Sequence, residues 1–143
     1  MIILYDANVL ISYLLTSEKE GTIASIVEAG FEGKYQFYLP AEVILELQKK
    51  ITVKGFLSQR IPKLTAEKFI TALSLIAIIP APITEQIPKV GRDLKDDYLL
   101  AYGVAGEADY LVTGDDDLQV IKQVGNLKIV SPAEFYKILK ISD

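Results

Sequence analysis

A chain of 143 residues can bury most of its apolar side chains in one core, which favours a single domain spanning 1–143. It contains no Cys and no His, which excludes disulfides, thiolate or imidazole metal sites, cysteine nucleophiles and a histidine general base. Lys+Arg 15 against Asp+Glu 19 sets the formal charge at −4, which opposes broad attraction to phosphate backbones unless some acids hold cations; two divalent ions would cancel about four charges.

Half of the residues are hydrophobic, but the apolar runs are too short and interrupted to span a bilayer. The N-terminus lacks the basic stretch that precedes a secretory signal, so a cytoplasmic protein is expected.

In chain order, Ile2-Ile3-Leu4-Tyr5 is a continuous apolar run ending at Asp6, the habit of a strand buried on both faces in a parallel sheet. Asn8 to Leu15 is a short helix. A second helix runs from about Glu20 to Ala29, with Ser17 or Thr22 near its start and Gly30 at its end. Gln36 to Leu39 is the next strand. Pro40 opens a helix at its first turn, with Val43, Ile44, Leu47 and Ile51 at helical spacing, ending near Gly55. Phe56 to Lys63 shows no clear period, and Thr65 is the expected N-cap of a further helix, with Leu64 and Phe69 as staple partners. Leu75 to Ile79 is apolar and β-branched and reads as a strand stopped by Pro80 and Pro82, followed by a loop from Ala81 to Arg92. Leu94 to Ala105 is a helix, Tyr110 to Thr113 a strand, Asp117 to Gln123 a short helix and Lys128 to Val130 an edge strand. Ser131 and Pro132 supply the N-cap and first position of the terminal helix. The alternation predicts an α/β fold: a three-layer α/β/α sandwich around a central parallel sheet of four or five strands.

Ligand sites of open parallel sheets lie outside the carboxyl ends of the strands, where this chain delivers Asp6 and the run Asp115-Asp116-Asp117. Asp6 also suits an N-cap, and the two roles are compatible. Glu42 and Glu46 share a helix face; the helix dipole accounts for Glu42 in the first turn, whereas Glu46 lies a turn further in, between Leu45 and Leu47. Asp93, Asp96 and Asp97 crowd a helix start, with Asp93 the expected cap. Asp96 shares a face with Leu99 and Leu100 and so points toward the side that buries them, where a carboxylate needs a partner. Among the three consecutive aspartates, Asp115 is nearest the strand end and Asp116 and Asp117 are the expected caps.

These residues resemble a family. Asp6-Ala7-Asn8-Val9-Leu10 is similar to the opening Asp-x-Asn-x-Leu of PIN-domain nucleases, and Glu46-Leu47 to their helical Glu-Leu. The stretch from Arg92 to Leu100 resembles their Arg-Asp-Pro-x-Asp-[Asp/Asn], and Val112-Thr113-Gly114-Asp115 their Val-Thr-x-Asp. The four motifs, in order and on the expected elements, span nearly the whole chain and come nearest to small prokaryotic PIN proteins described as toxin components of toxin–antitoxin pairs. The chain departs from the pattern at Leu94, where relatives often have Pro, and at Gly103, where Ala is usual.

The resemblance implies a metal-dependent ribonuclease in which Asp6, Glu46, Asp96 and Asp115 are catalytic and hold Mg²⁺ or Mn²⁺, with two ions when RNA is bound. Asn8 and Thr113 match positions that orient those acids, Asp117 is a further candidate ligand, and a one-residue slip would transfer the role of Asp96 to Asp97. Oxygen-only ligands suit hard cations. Two ions roughly 3.5–4 Å apart would activate water and stabilise the departing 3′-oxygen without a histidine. Arg92, Lys95 and Lys50 are candidate substrate contacts, although the basic residues here, Lys49, Lys54, Arg60 and Lys63 among them, equally suit a solvated face. Related toxins resemble homodimers neutralised by an antitoxin protein, and the hydrophobic content leaves apolar surface for such contacts. Two other classes stay open: a PIN-like binding module without catalysis, and an aspartate-based phosphatase or receiver domain. Asn8, standing where a phosphatase would carry its second Asp, weighs against the latter.

Overall fold

The computed structural model describes residues 1–16, 21–53, 59–84 and 94–142. Its elements are β1 (Ile2–Tyr5), α1 (Ala7–Leu15), α2 (Thr22–Phe31), β2 (Gln36–Tyr38), α3 (Ala41–Val53), α4 (Lys63–Ile76), α5 (Leu94–Ala105), β3 (Tyr110–Val112), α6 (Asp116–Gln119), β4 (Gln123–Val124), β5 (Leu127–Val130) and α7 (Pro132–Ser142). Among the described residues the sheet has five strands in the order β2-β1-β3-β5-β4, parallel except for β4. This is the expected α/β architecture.

Successive strand residues face opposite sides, so burial of Ile3, Leu4 and Tyr5 to 1% exposure or less means that helices cover both faces of β1. In register, Ile3 and Tyr5 lie beside Tyr110 and Val112, and the rings of Tyr5 and Tyr110 stand 6.4 and 6.0 Å from Phe135 of α7. Phe37 on the same face meets Phe31 of α2. The opposite face carries Leu4, Tyr38, Leu111 and Ile129 in register. There α5 and the residue after it come so close that a Cβ at Gly106 would strike the Tyr38 ring and one at Gly103 would lie 2.6 Å from a Leu127 methyl. The close approach explains Gly103 where Ala is usual in the family pattern.

Several boundaries differ from expectation. Gly30 does not end α2: the helix continues to Phe31, and the left-handed residue is Gly33 (φ 84°), with Lys34 N–H donating to Ala29 and Gly33 N–H to Gly30, a Schellman closure. Gly30 is small for packing, since a Cβ there would collide with Phe37 and Tyr35. Thr22 is the first residue of α2, as expected near its start, with Gly21 at the N-cap, while Ser17 and Glu20 lie outside the described residues. Pro40 precedes α3 rather than sitting in its first turn, its carbonyl accepting from Val43, and the expected end near Gly55 is outside the described residues. Thr65 is not the N-cap of α4: the helix begins at Lys63 after Pro62, and Leu64, 61% exposed, staples nothing.

Leu75 to Ile79 is not a strand. α4 runs through Ile76 because Ala66, Phe69 and Leu73 anchor it at helical spacing, leaving Leu75 81% exposed on its outer side; only Ile78 makes an isolated bridge to Tyr38. Residues 81–84 are irregular as expected; the remainder of the loop to Arg92 lies outside the described residues. β5 is not the edge strand either, because the two-residue β4 pairs antiparallel outside it, and α6 covers Asp116–Gln119 rather than Asp117 to Gln123. At α7, Ser131 Oγ accepts from Glu134 N–H while the Glu134 carboxylate accepts from Ser131 N–H, a reciprocal capping box. Among the described residues no helix is long and apolar enough to cross a membrane.

The aromatic layer contains two buried hydroxyls in series: Tyr35 donates to the Ile26 carbonyl at 2.6 Å, so Tyr5, 2.6 Å away, donates to Tyr35. Burial pushes both phenols upward. Tyr35→Phe orphans the Tyr5 hydroxyl and removes the second bond to the Ile26 carbonyl, which keeps its helical partner, and is expected to cost about 2–3 kcal/mol in urea denaturation, against about 1 kcal/mol for Tyr5→Phe. Because folding raises both pKa values, their stabilisation is intact below about pH 10, where unfolded tyrosine titrates, and is lost as pH climbs toward the raised folded values. The double Phe variant should therefore show a shallower fall of Tm above pH 10.

Candidate active site

Asp6 follows the last residue of β1, its N–H still accepted by the Val112 carbonyl of β3, and it is fully buried. Its extended backbone makes it the N-cap of α1, with Oδ1 accepting from Asn8 N–H at 3.2 Å. Oδ2 accepts from the Thr113 hydroxyl at 2.9 Å. Thr113, also fully buried, stands one residue beyond β3, and its Oγ1 accepts from Asp115 N–H at 3.0 Å. One hydroxyl thus ties the carboxyl ends of the two central strands together.

Asp115 is the N-cap of α6, its Oδ1 accepting from Asp117 N–H at 2.9 Å. This corrects the expected assignment of Asp116 and Asp117 as caps: both lie in the first turn of α6 and are exposed, because the strand end leaves only Asp115 with the extended backbone a cap requires. The Gln119 side-chain amide closes the loop by donating to the Thr113 carbonyl at 2.8 Å. That contact was not anticipated, since nothing in a short polar helix marks a glutamine that folds back on the preceding strand.

A second line of contacts reaches the same edge from α3. Lys50 Nζ donates to Asn8 Oδ1 at 2.7 Å and lies 3.7 Å from Glu46 Oε1, one turn back on its own helix. Asn8 therefore touches both parts of the site, its N–H on Asp6 and its side chain on Lys50. Asp96 and Asp97, in the first turn of α5, are 2% and 3% exposed, so both carboxylates of the doublet are buried, Asp96 beside Leu99 and Leu100 as its spacing predicts. Asp93 and Arg92 and the side chain of Lys95 lie outside the described residues.

Two cavities flank these acids. One of about 310 Å³ is lined by Asn8, Val9, Ser12, Ile23, Gly114, Asp115 and Pro132. The other, about 260 Å³ and mostly apolar, lies between α3 and α5 and is lined by Pro40, Glu42, Val43, Glu46, Tyr98, Leu99 and Tyr102. Burial raises the Tyr102 hydroxyl pKa, and a hydrogen bond to the Glu42 carboxylate raises it further. The tyrosines were missed in sequence because i, i+4 aromatics on a helix read as core.

The PIN-domain family model matches residues 2–117, more than half of the chain. The chain belongs to the PIN-domain family. No curated protein matches it. PIN domains are generally nucleases and typically use divalent metals, which gives this PIN domain a nuclease-type function. Among the described residues no group of three or more acids is arranged to hold a metal ion. The donors still fit a hard cation in kind, since Mg²⁺ is held by one or two carboxylates with water and substrate phosphate completing its shell, and Asp6 and Asp96 are buried oxygen donors.

Thr113→Val removes the hydroxyl between Asp6 and Asp115 N–H and is expected to lower stability by about 2–3 kcal/mol in urea denaturation, more than Thr113→Ser, which keeps the oxygen.

Proposed function

We propose that this PIN domain is a metal-dependent endoribonuclease, with Asp6, Glu46, Asp96 and Asp115 as its catalytic acids. The reading rests above all on the Asp6–Thr113–Asp115 line, which holds two motif acids at the carboxyl edge of adjacent central strands, where open α/β sheets bind ligands. Asp6, and Asp96 or Asp97, would hold Mg²⁺ or Mn²⁺, which supplies Lewis-acid stabilisation of phosphate charge and an activated water. Asn8 and Thr113 fix the Asp6 carboxylate so that its orientation is set before substrate arrives. Glu46 brings an acid from α3, and Lys50, held on Asn8 and Glu46, offers a cation to a substrate phosphate. Asp117, exposed at the start of α6, suits an outer contact only.

RNA as substrate, a toxin role, a neutralising antitoxin and a homodimer follow from the likeness of the four motifs to small prokaryotic PIN toxins. Exposed Leu45, Leu75, Val120 and Ile141, 62–86% accessible, give such partners apolar surface to cover.

Purified protein should cleave single-stranded RNA in Mn²⁺. Asp6→Asn should lower the rate more than about 100-fold, since losing even an outer partner of a metal ligand costs about 10–100-fold. Of Asp96→Asn and Asp97→Asn, the variant with the larger loss identifies the liganding acid. Mn²⁺ at about 100 times its Kd should raise stability by about 2.7 kcal/mol in thermal melts. Absence of both cleavage and a melting shift would leave a binding module.

A further inference from the structure

The helix dipole accounts for an acid in the first turn of α3 but not for its place in the wall of an apolar cavity between α3 and α5. The cavity walls are Pro40, Val43 and Leu99 with half-buried Tyr98, and its polar side chains are Glu42, Glu46 and Tyr102, whose hydroxyl accepts from Ile83 N–H at 2.9 Å. At about 260 Å³ it falls just below the range of drug-sized ligand sites and suits one flat ring system rather than a helix or a whole nucleotide. Glu46 lines the same cavity and, four residues from Glu42, shares its face one helical turn away.

We propose that this cavity is a nucleobase pocket for guanine, on the strand whose phosphate the acidic site engages. The proposal rests on the nuclease reading for its substrate but on the cavity for its chemistry. A carboxylate only accepts hydrogen bonds. Guanine alone among the RNA bases presents two adjacent donors, N1–H and the N2 amino group, on its Watson–Crick edge, which a carboxylate can accept. Adenine and cytosine set a ring acceptor beside their amino group, and uracil flanks its one N–H with carbonyls, so each would turn a lone pair toward the carboxylate. Tyr98 supplies the ring on which an unstacked base of single-stranded RNA lies. The Tyr102 contact leaves Glu42 able to accept further, since a carboxylate has about four lone-pair sites. Glu46 and Lys50 follow one and two turns further along the same helix, about 6 and 12 Å from Glu42, so the Lys50 ammonium is the group on α3 placed to meet the phosphate of a base held by its far edge at Glu42.

Titrating ¹⁵N-labelled protein in EDTA with GMP and with AMP, followed by amide shifts, tests the pocket without any cleavage. GMP should saturably shift the amides of Glu42, Tyr98 and Tyr102 and bind at least about tenfold more tightly than AMP, because a site built for donors rejects a base that lacks them. Glu42→Gln should remove most of that preference, and Tyr98→Ala should weaken both nucleotides about tenfold. Equal GMP and AMP affinities in the wild-type protein, or no saturation by either at millimolar concentration, would overturn the proposal whatever the variants do. Selective GMP binding without RNA cleavage would support the pocket while removing the nuclease reading; cleavage without GMP selectivity would remove the pocket alone.

Discussion

The structure turns on one buried charge. A carboxylate at zero exposure is costly unless hydrogen bonds replace its water, and Asp6 obtains them from two directions, the N–H of Asn8 at the start of α1 and the hydroxyl of Thr113 beyond β3. Because those donors come from different elements, satisfying Asp6 also fixes where β1 ends, where α1 begins and how far the β3 loop stands from both. Thr113 passes the constraint on through its oxygen to Asp115, whose side chain in turn starts α6. The same bonds that make the fold possible aim the acids.

Like charges at this edge are separated by individual partners. Glu42 and Glu46, one turn apart, would repel, and each has its own relief: Tyr102 for Glu42 and Lys50 for Glu46. Lys50 also holds the Asn8 side chain, so a line of hydrogen bonds and one ion pair runs from Glu46 of α3 to Asp6 at the strand end. On either side of it lie cavities of different character, the one on the α5 side apolar and containing a carboxylate and two tyrosines.

What could be read without the structure was governed by local rules. The run Ile2 to Tyr5, the bounds of α5 and the Ser131 start of α7 follow from apolar runs, helical spacing and cap chemistry, all of which act within a few residues. The errors share the opposite cause. Leu75 to Ile79 reads as a strand on composition, but whether β-branched residues extend or coil depends on the burial of Phe69 and Leu73 earlier in the same helix. Lys128 to Val130 reads as an edge because the two residues of β4 are too few to carry a period. Gly30 looked like a stop because a glycine packed against two rings and a glycine at a left-handed turn are the same letter.

The sequence by itself determined the family and the α/β class, and nominated the acids proposed for the site, because the motifs are short and each sits on an element whose local signal is strong. Only the tertiary structure decided which aspartate caps α6, that Thr113 joins Asp6 to Asp115, that Lys50 crosses from α3 to Asn8, and that Glu42 and Tyr98 share a cavity with Glu46. Those are contacts across 42 and 107 residues of chain for Lys50 with Asn8 and Thr113 with Asp6. No periodicity extends that far, so they emerge only when the sheet brings its strand ends to a common edge.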